Sequence, residues 1–101
     1  MKYIIGNRNS GVSSDLILEA SNYDTAIIAR TNMNKDRIKK KCEDLGIKCP
    51  MVFSFNDILL NNIDYSKYKH FVIEDMDFML KASLGELGFH GIIDTCGVSM
   101  E

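Results

Sequence analysis

Apolar and polar residues alternate along the chain in short blocks, and these blocks predict strands and helices in turn. Five of the blocks have the length and apolar character of strands. They predict strands at residues 2–5 (KYII), 25–29 (TAIIA), 51–53 (MVF), 70–73 (HFVI) and 91–95 (GIIDT). The continuous apolar run TAIIA is typical of a strand that is buried on both faces of a sheet.

The segments between these strands carry apolar residues at helical spacing. The predicted helices have the following apolar positions: Val12, Leu16, Ile17 and Ala20 in the first, Ile38, Cys42 and Leu45 in the second, Ile58 and Leu59 in the third, and Met76, Leu80 and Leu87 in the last. We expect Asn32 or Asn34 to cap the second helix and Gly46 to end it. Ser54 and Asp57 form an S-x-x-D capping box that is expected to begin the third helix.

Strands that alternate with helices predict a parallel sheet covered on both faces and joined by crossover connections. The chain has 101 residues, so a single domain spanning residues 1–101 is expected. The predicted fold class is therefore a minimal three-layer α/β sandwich around a mostly parallel sheet of about five strands. Tyr65 and Tyr68 are expected to fold down onto the edge of this sheet.

A glycine-rich loop follows the first predicted strand, in the stretch KYIIGNRNSGVSS. Residues 6–13 match the phosphate-binding loop G-x-x-x-x-G-K-[ST] at Gly6, Gly11 and Ser13. Glycines there let successive N–H groups converge on a phosphate, and the helix that follows adds the partial positive charge of its N-terminus. The lysine of the motif is replaced by Val12, which can donate nothing.

Losing the lysine is expected to impair catalysis. Removing one preorganised donor costs roughly 10²–10³ in rate, and the loss of a full positive charge should cost at least as much. Arg8 lies inside the loop and is the residue that could compensate, and Ser14 is a second hydroxyl. Three interpretations remain: a vestigial phosphate loop, an active loop that uses Arg8, and a plain turn without a ligand.

A second motif, HFVIEDMDF, places acidic residues after an apolar strand. In phosphate-loop enzymes such a strand ends in a carboxylate that holds the water shell of the metal. Glu74 stands at that position and Asp75 at the position of a base, so a metal would be held by Ser13, Glu74 and Asp75. The alternative is a solvated strand end with Asp77 as a helix cap. Without a lysine opposite, the acidic cluster would carry uncompensated charge and suit a basic partner surface.

Taken together, GNRNSGVSS and FVIEDMDFML resemble small phage-encoded proteins with a GNRxSGKT-type loop and an IDDAD-type acidic strand. The resemblance covers residues 1–80 and implies a truncated phosphate-loop NTPase-like domain with a RecA-like core. It implies phosphate-loop roles for Gly6, Gly11 and Ser13 and acidic-strand roles for Glu74 and Asp75. The departures, valine for lysine and glutamate for aspartate, both favour lost catalysis, because glutamate fits the Mg²⁺ shell less well.

Charge and composition disfavour several classes of function. The formal net charge is −2, which disfavours general binding to nucleic acid or to an anionic membrane surface. No apolar run approaches the ~20 residues of a membrane helix, and no secretory signal is evident, so we expect a cytoplasmic protein. Three cysteines without C-x-x-C spacing favour reduced, buried thiols over a disulfide framework or a zinc site completed by His70 or His90.

One segment is strongly basic, with six positive charges within residues 35–48. Lys39, Lys40 and Lys41 lie at its centre. The simplest interpretation is a solvated helix face with i,i+4 pairs such as Asp36 with Lys40. The alternative is contact with nucleic acid or with an acidic patch on a partner. No aromatic residues interleave with the lysines, so direct binding of nucleic acid by base stacking is not indicated.

Two functional hypotheses follow. The first is a phage-encoded binding protein that has no catalytic activity and no cofactor. It would act like an anti-CRISPR protein and inhibit a bacterial defence complex of the host, such as a Cas nuclease. Its candidate contacts are Glu74, Asp75, Asp77, Lys39, Lys40 and Lys41. The second is an accessory ATPase or GTPase in phage DNA replication or packaging, with Mg-ATP or Mg-GTP bound among Gly6, Arg8, Gly11, Ser13, Ser14, Glu74 and Asp75.

Overall fold

The computed structural model describes residues 2–7, 16–18, 20, 25–75 and 84–100. The elements of this part of the chain are β1 (Lys2–Asn7), β2 (Thr25–Ala29), α1 (Asn32–Leu45), β3 (Met51–Ser54), α2 (Phe55–Leu59), a 3₁₀ helix (Tyr65–Lys67), β4 (His70–Asp75) and β5 (Ile93–Met100). Residues 16–18 and 84–86 are also helical. None of the helices in the described ranges is both long enough and apolar enough to cross a membrane.

The strands form a single sheet in the order β1-β5-β4-β2-β3, and every neighbouring pair is parallel. The compact α/β fold with a parallel sheet that the alternating pattern predicts is confirmed. The run TAIIA is β2, as predicted, and its residues pack into cores on both faces of the sheet, which explains why its apolar run is unbroken.

Each face of the sheet carries its own hydrophobic core. The α1-face core consists of Leu16, Ile17, Ala20, Ile27, Ala29, Ile38, Cys42, Val52 and Val72. The α2-face core consists of Ala26, Ile28, Phe53, Ile58, Ile63, Phe71, Ile73, Leu84 and Cys96. Successive residues of β2 alternate between the two cores, as the pleat of a strand requires.

The residues of the two cores show on which face of the sheet the chain lies after each strand. The segments after β1 and after β2 pack on the α1 face, and those after β3 and after β4 pack on the other face. The neighbouring strands β2 and β4 therefore send their chains to opposite faces of the sheet. A parallel sheet opens a crevice at the carboxyl ends of two such strands, and ligand sites in α/β proteins occur there.

The ends of α1 are set by local hydrogen bonds. Its N-cap is Thr31, not Asn32 or Asn34 as predicted, because the Thr31 side chain accepts from the Asn34 N–H at 3.1 Å. Gly46 ends the helix, as predicted, with a left-handed φ of 68°. Leu45 was predicted to face inward but is 40% exposed. The chain turns back at Gly46, and Ile47 packs against the α1-face core.

The last two strands are longer than predicted. β4 extends to Asp75, so that the acidic pair belongs to the strand itself. β5 begins at Ile93, whereas the prediction was residues 91–95, and it runs to Met100 because it lies between β1 and β4 and pairs with both. Gly91 precedes the strand and lies against aromatic rings, where a Cβ atom would come within 2.4 Å of Phe71.

The capping box of α2 follows the prediction, whereas the two tyrosines pack on one face of the sheet, against Phe71 of the central strand β4, and not at its edge as predicted. The Asp57 N–H donates to Ser54 Oγ at 3.2 Å, and the Ser54 N–H donates to Asp57 Oδ2 at 2.8 Å. Tyr65 and Tyr68 are half-buried and pack against the α2-face core, each making an edge or tilted ring contact with Phe71.

Several other predicted core positions can be placed. Leu16, Ile17, Ala20, Ile38, Cys42, Ile58 and Cys96 are buried as predicted, whereas Leu59 is exposed. The predicted apolar positions Val12, Met76 and Leu80 lie outside the described residues. An ion pair between Asp36 and Lys40 was expected on α1, but none joins them in the structure, where Lys35 and Arg37 pair with other elements.

Candidate functional site

The carboxyl ends of the strands bring together the two segments that carry the sequence motifs. Gly6 of β1 pairs with Ser99 of β5, and Asp75 of β4 pairs with Val98, the preceding residue of β5. The strand β1 runs to Asn7, so Gly6 and Asn7, which were predicted to lie in the loop, belong to the strand. The end of β1 and the acidic end of β4 therefore lie at the same edge of the sheet. Only β5 separates them, which corresponds to a spacing of about 10 Å.

The dominant electrostatic contact at this edge joins Arg37 of α1 to Glu74 of β4. The Arg37 Nη2 group donates to Glu74 Oε1 in an ion pair. The Glu74 side chain is only 12% exposed, whereas that of Arg37 is 53% exposed. Because α1 follows β2, the pair bridges the crevice between β2 and β4, where the connections leave toward opposite faces.

A second ion pair at the same edge joins α1 to α2. Lys35 Nζ donates to Asp57 Oδ2 at 3.2 Å, and the same oxygen accepts the Ser54 N–H. Burial raises the pKa of the Asp57 carboxyl, but the Ser54 hydrogen bond and the Lys35 charge lower it by more. The net pKa lies below its ordinary value of 3.8. Asp57 is thus an anion at neutral pH and holds Lys35 in place.

The charges on α1 are arranged unfavourably for the helix dipole, and the two ion pairs explain how the helix tolerates them. The helix has no acidic residue in its first turn and no basic residue in its last turn, so its charges do not complement the helix dipole. Lys35 and Arg37 lie in the first half of the helix, and Glu43 and Asp44 lie near its end. The cations at the N-terminal half are stabilised by the carboxylates of α2 and β4.

The site residues predicted from the sequence fall into three groups. Gly6, Glu74 and Asp75 lie at the carboxyl edge. Lys39 and Lys40 are exposed on α1, and Lys41 is half-buried there. The remaining candidates lie outside the described residues; these are Arg8, Gly11, Ser13, Ser14 and Asp77. The expectation that the acidic strand carries uncompensated charge is wrong for Glu74, because Arg37 neutralises it.

In the described part of the site, one of the implied magnesium ligands is paired with a cation of the protein itself. Of the carboxylates that the resemblance implies as metal holders, Glu74 already accepts from the Arg37 guanidinium. A divalent cation on the same carboxylate would stand beside a second positive charge. Elsewhere in the described ranges, no group of three or more His, Cys, Asp or Glu side chains could hold a metal ion.

No protein-family model matches this chain, and no curated protein is detectably similar to it. Evidence for the function of this chain therefore comes from its motifs, its topology and the contacts at the carboxyl edge.

Sequence reasoning missed Arg37 and Lys35 as site residues, because it placed them on a solvated basic face. Their partners lie 37 and 22 residues further along the chain, so no local pattern links them. One feature of the sequence could have indicated these residues: α1 carries cations in the first half and acidic residues near its end, the reverse of the order that the helix dipole favours. A cation in the first half of a helix that follows a parallel strand lies near the carboxyl ends of the neighbouring strands.

Proposed function

We propose that this chain is a non-catalytic protein-binding domain on a degenerate phosphate-loop NTPase-like scaffold. The observation that carries the proposal is the ion pair between Arg37 and Glu74. In a working NTPase the corresponding carboxylate helps to hold the Mg²⁺ that neutralises the phosphates. Here that carboxylate balances a cation of the protein itself. Val12 in place of the lysine removes the other charge that phosphoryl transfer needs.

The partner we propose is a host bacterial protein complex with an acidic surface. Lys39 and Lys40 are exposed on α1, and half-buried Lys41 extends the basic surface. Charge of this kind steers association and selects an acidic partner. The resemblance to small phage-encoded proteins supports a defence complex as the target, so the chain would act as an inhibitor of the anti-CRISPR type, for example against a Cas nuclease.

A nuclease inhibition assay tests this function. Purified chain is titrated into a DNA cleavage reaction with a guide-loaded Cas nuclease. We expect cleavage to stop near one chain per effector. The variant Lys39→Glu/Lys40→Glu should weaken inhibition about tenfold or more while leaving the melting temperature unchanged, since both side chains are exposed. Full cleavage by a panel of effectors in a large excess of the chain would contradict the proposed target.

The second candidate function is that of an accessory ATPase or GTPase in phage DNA replication or packaging. The observation that favours it is the placement of Gly6 and Asp75 at one edge of the sheet, with a single strand between them. Arg8 or a partner subunit would then supply the missing positive charge, and Arg37 would have to leave Glu74. Steady release of inorganic phosphate from Mg-ATP or Mg-GTP, abolished by Ser13→Ala, would establish this function in place of the first.

A further inference from the structure

The three cysteines are divided between the two faces of the sheet. Cys42 lies in the α1-face core, and half-buried Cys49 packs against the same core. Cys96 lies in the α2-face core, on the other side of the sheet. The fold thus brings two of the thiols to one place and holds the third apart from them.

The turn at the end of α1 brings Cys49 back toward Cys42. Gly46 adopts the left-handed conformation, and the Ile47 N–H donates to the Cys42 carbonyl at 3.1 Å. This hydrogen bond reverses the chain over the last turn of the helix. Burial and a hydrogen bond between the two thiols raise the pKa of Cys42 to about 12. Cys42 in the α1-face core and Cys49 packed against that core therefore lie on the same side of the sheet, at the end of α1.

We propose that Cys42 and Cys49 form a thiol-modification site, which exchanges with low-molecular-weight disulfides and closes an intrachain disulfide across the turn between α1 and β3. Burial divides the roles of the two residues. Cys42 is 1% exposed, so a disulfide in solution reaches Cys49 first. Cys42 then acts as the resolving thiol, from inside the core.

The exchange with glutathione disulfide balances in two steps. The Cys49 thiolate attacks one sulfur of glutathione disulfide, which forms a mixed disulfide and releases one glutathione thiolate. The Cys42 sulfur attacks the Cys49 sulfur and its proton passes to the departing glutathione sulfur, which forms the Cys42–Cys49 bond and releases the second glutathione as a thiol. Two protein thiols are oxidised, and one glutathione disulfide is reduced to two glutathione molecules.

Peptide mapping tests the proposal, because trypsin separates all three cysteines. The full-length chain is reduced, exposed to glutathione disulfide, denatured with iodoacetamide and digested without reductant. Cleavage after Lys41 and Lys48 places Cys42 in residues 42–48 and Cys49 in residues 49–67, whereas Cys96 falls in residues 82–101. We expect residues 42–48 and 49–67 to be joined by a disulfide and the Cys96 peptide to be alkylated.

Matched variants separate the roles of the thiols. Cys96→Ala should give the same cross-linked pair as the wild type. Cys49→Ala should abolish the cross-link and leave Cys42 without glutathione, whereas Cys42→Ala should keep glutathione on Cys49. The proposal is overturned if the wild type accumulates glutathione on Cys49 without closing the disulfide, or if Cys42 or Cys49 is joined to Cys96 instead.

Discussion

At the residue scale, Asp57 shows how one carboxylate serves both a helix start and a tertiary contact. Its Oδ2 atom accepts the Ser54 N–H at 2.8 Å and Lys35 Nζ at 3.2 Å. The sequence predicted the first contact, because the S-x-x-D spacing is local. It gave no sign of the second, because Lys35 belongs to a different helix.

We expect Asp57→Ala to lower the free energy of unfolding by about 1–2 kcal/mol at pH 7, because it removes the capping box and the Lys35 ion pair. The pKa of Asp57 lies below its ordinary value of 3.8 in the folded state. Its stabilisation is therefore complete above that value and is lost as the pH falls through the folded pKa. Urea denaturation between pH 7 and pH 3 measures both effects.

Asp57→Asn is the control for this prediction, since it keeps the size of the side chain and removes its charge. Its stability should fall less steeply than that of the wild type as the pH drops toward 3. Identical slopes for the two proteins would show that the Asp57 charge does not stabilise the fold.

The pair between Arg37 and Glu74 is the residue-level contact on which the functional argument depends. A double-mutant cycle with Arg37→Gln, Glu74→Gln and the double variant isolates their interaction. We expect a coupling energy of about 1 kcal/mol, between the values typical of exposed and buried pairs, because Glu74 is largely buried and Arg37 is half exposed. A coupling energy near zero in low salt would mean that Arg37 does not neutralise Glu74.

At the scale of elements, the positions of strands and helices were predicted correctly where short-range interactions determine them. Three predictions were correct because residues a few positions apart determine the local structure. These are the strand TAIIA, the end of α1 at Gly46 and the start of α2. The predicted N-cap of α1, Asn32 or Asn34, was wrong, and the cap is Thr31. Threonine and asparagine are both good caps, and which residue serves depends on where the chain leaves β2. The full length of β5 was beyond prediction, because its pairing with β1 and β4 on its two sides is a long-range property.

The turn after α1 gives a test at this scale. Gly46 has a φ of 68°, and a Cβ atom added there would meet nothing within 4 Å. Gly46→Ala should therefore lower the free energy of unfolding by about 1 kcal/mol through backbone strain alone. Gly85→Ala is the matched control, because that glycine also has open space but a φ outside the left-handed region, and its stability should change by less than about 0.5 kcal/mol. Equal effects at both positions would contradict this account of the turn.

At the scale of the whole molecule, the strand order brings the start of the glycine motif and the acidic end of β4 to one edge and places α1 beside that end of β4. The sequence identified the acidic strand and the start of the glycine loop. It could not identify Arg37 as the cation of Glu74, because that pairing exists only once β2 and β4 lie side by side. Gly6, Glu74 and Asp75 were therefore predictable from motifs. The contributions of Lys35 and Arg37 follow from the topology.

We propose that this edge of the sheet does not bind a magnesium nucleotide, because Val12 replaces the lysine of the motif and Arg37 pairs with Glu74. Thermal unfolding with millimolar Mg-ATP or Mg-GTP, compared with Mg²⁺ alone, tests it most directly. We predict an unchanged melting temperature. A nucleotide at ~100 times its dissociation constant would add about 2.7 kcal/mol, which is more than about 10 °C for a domain of this size. A rise of that size, abolished by Ser13→Ala, would contradict the claim.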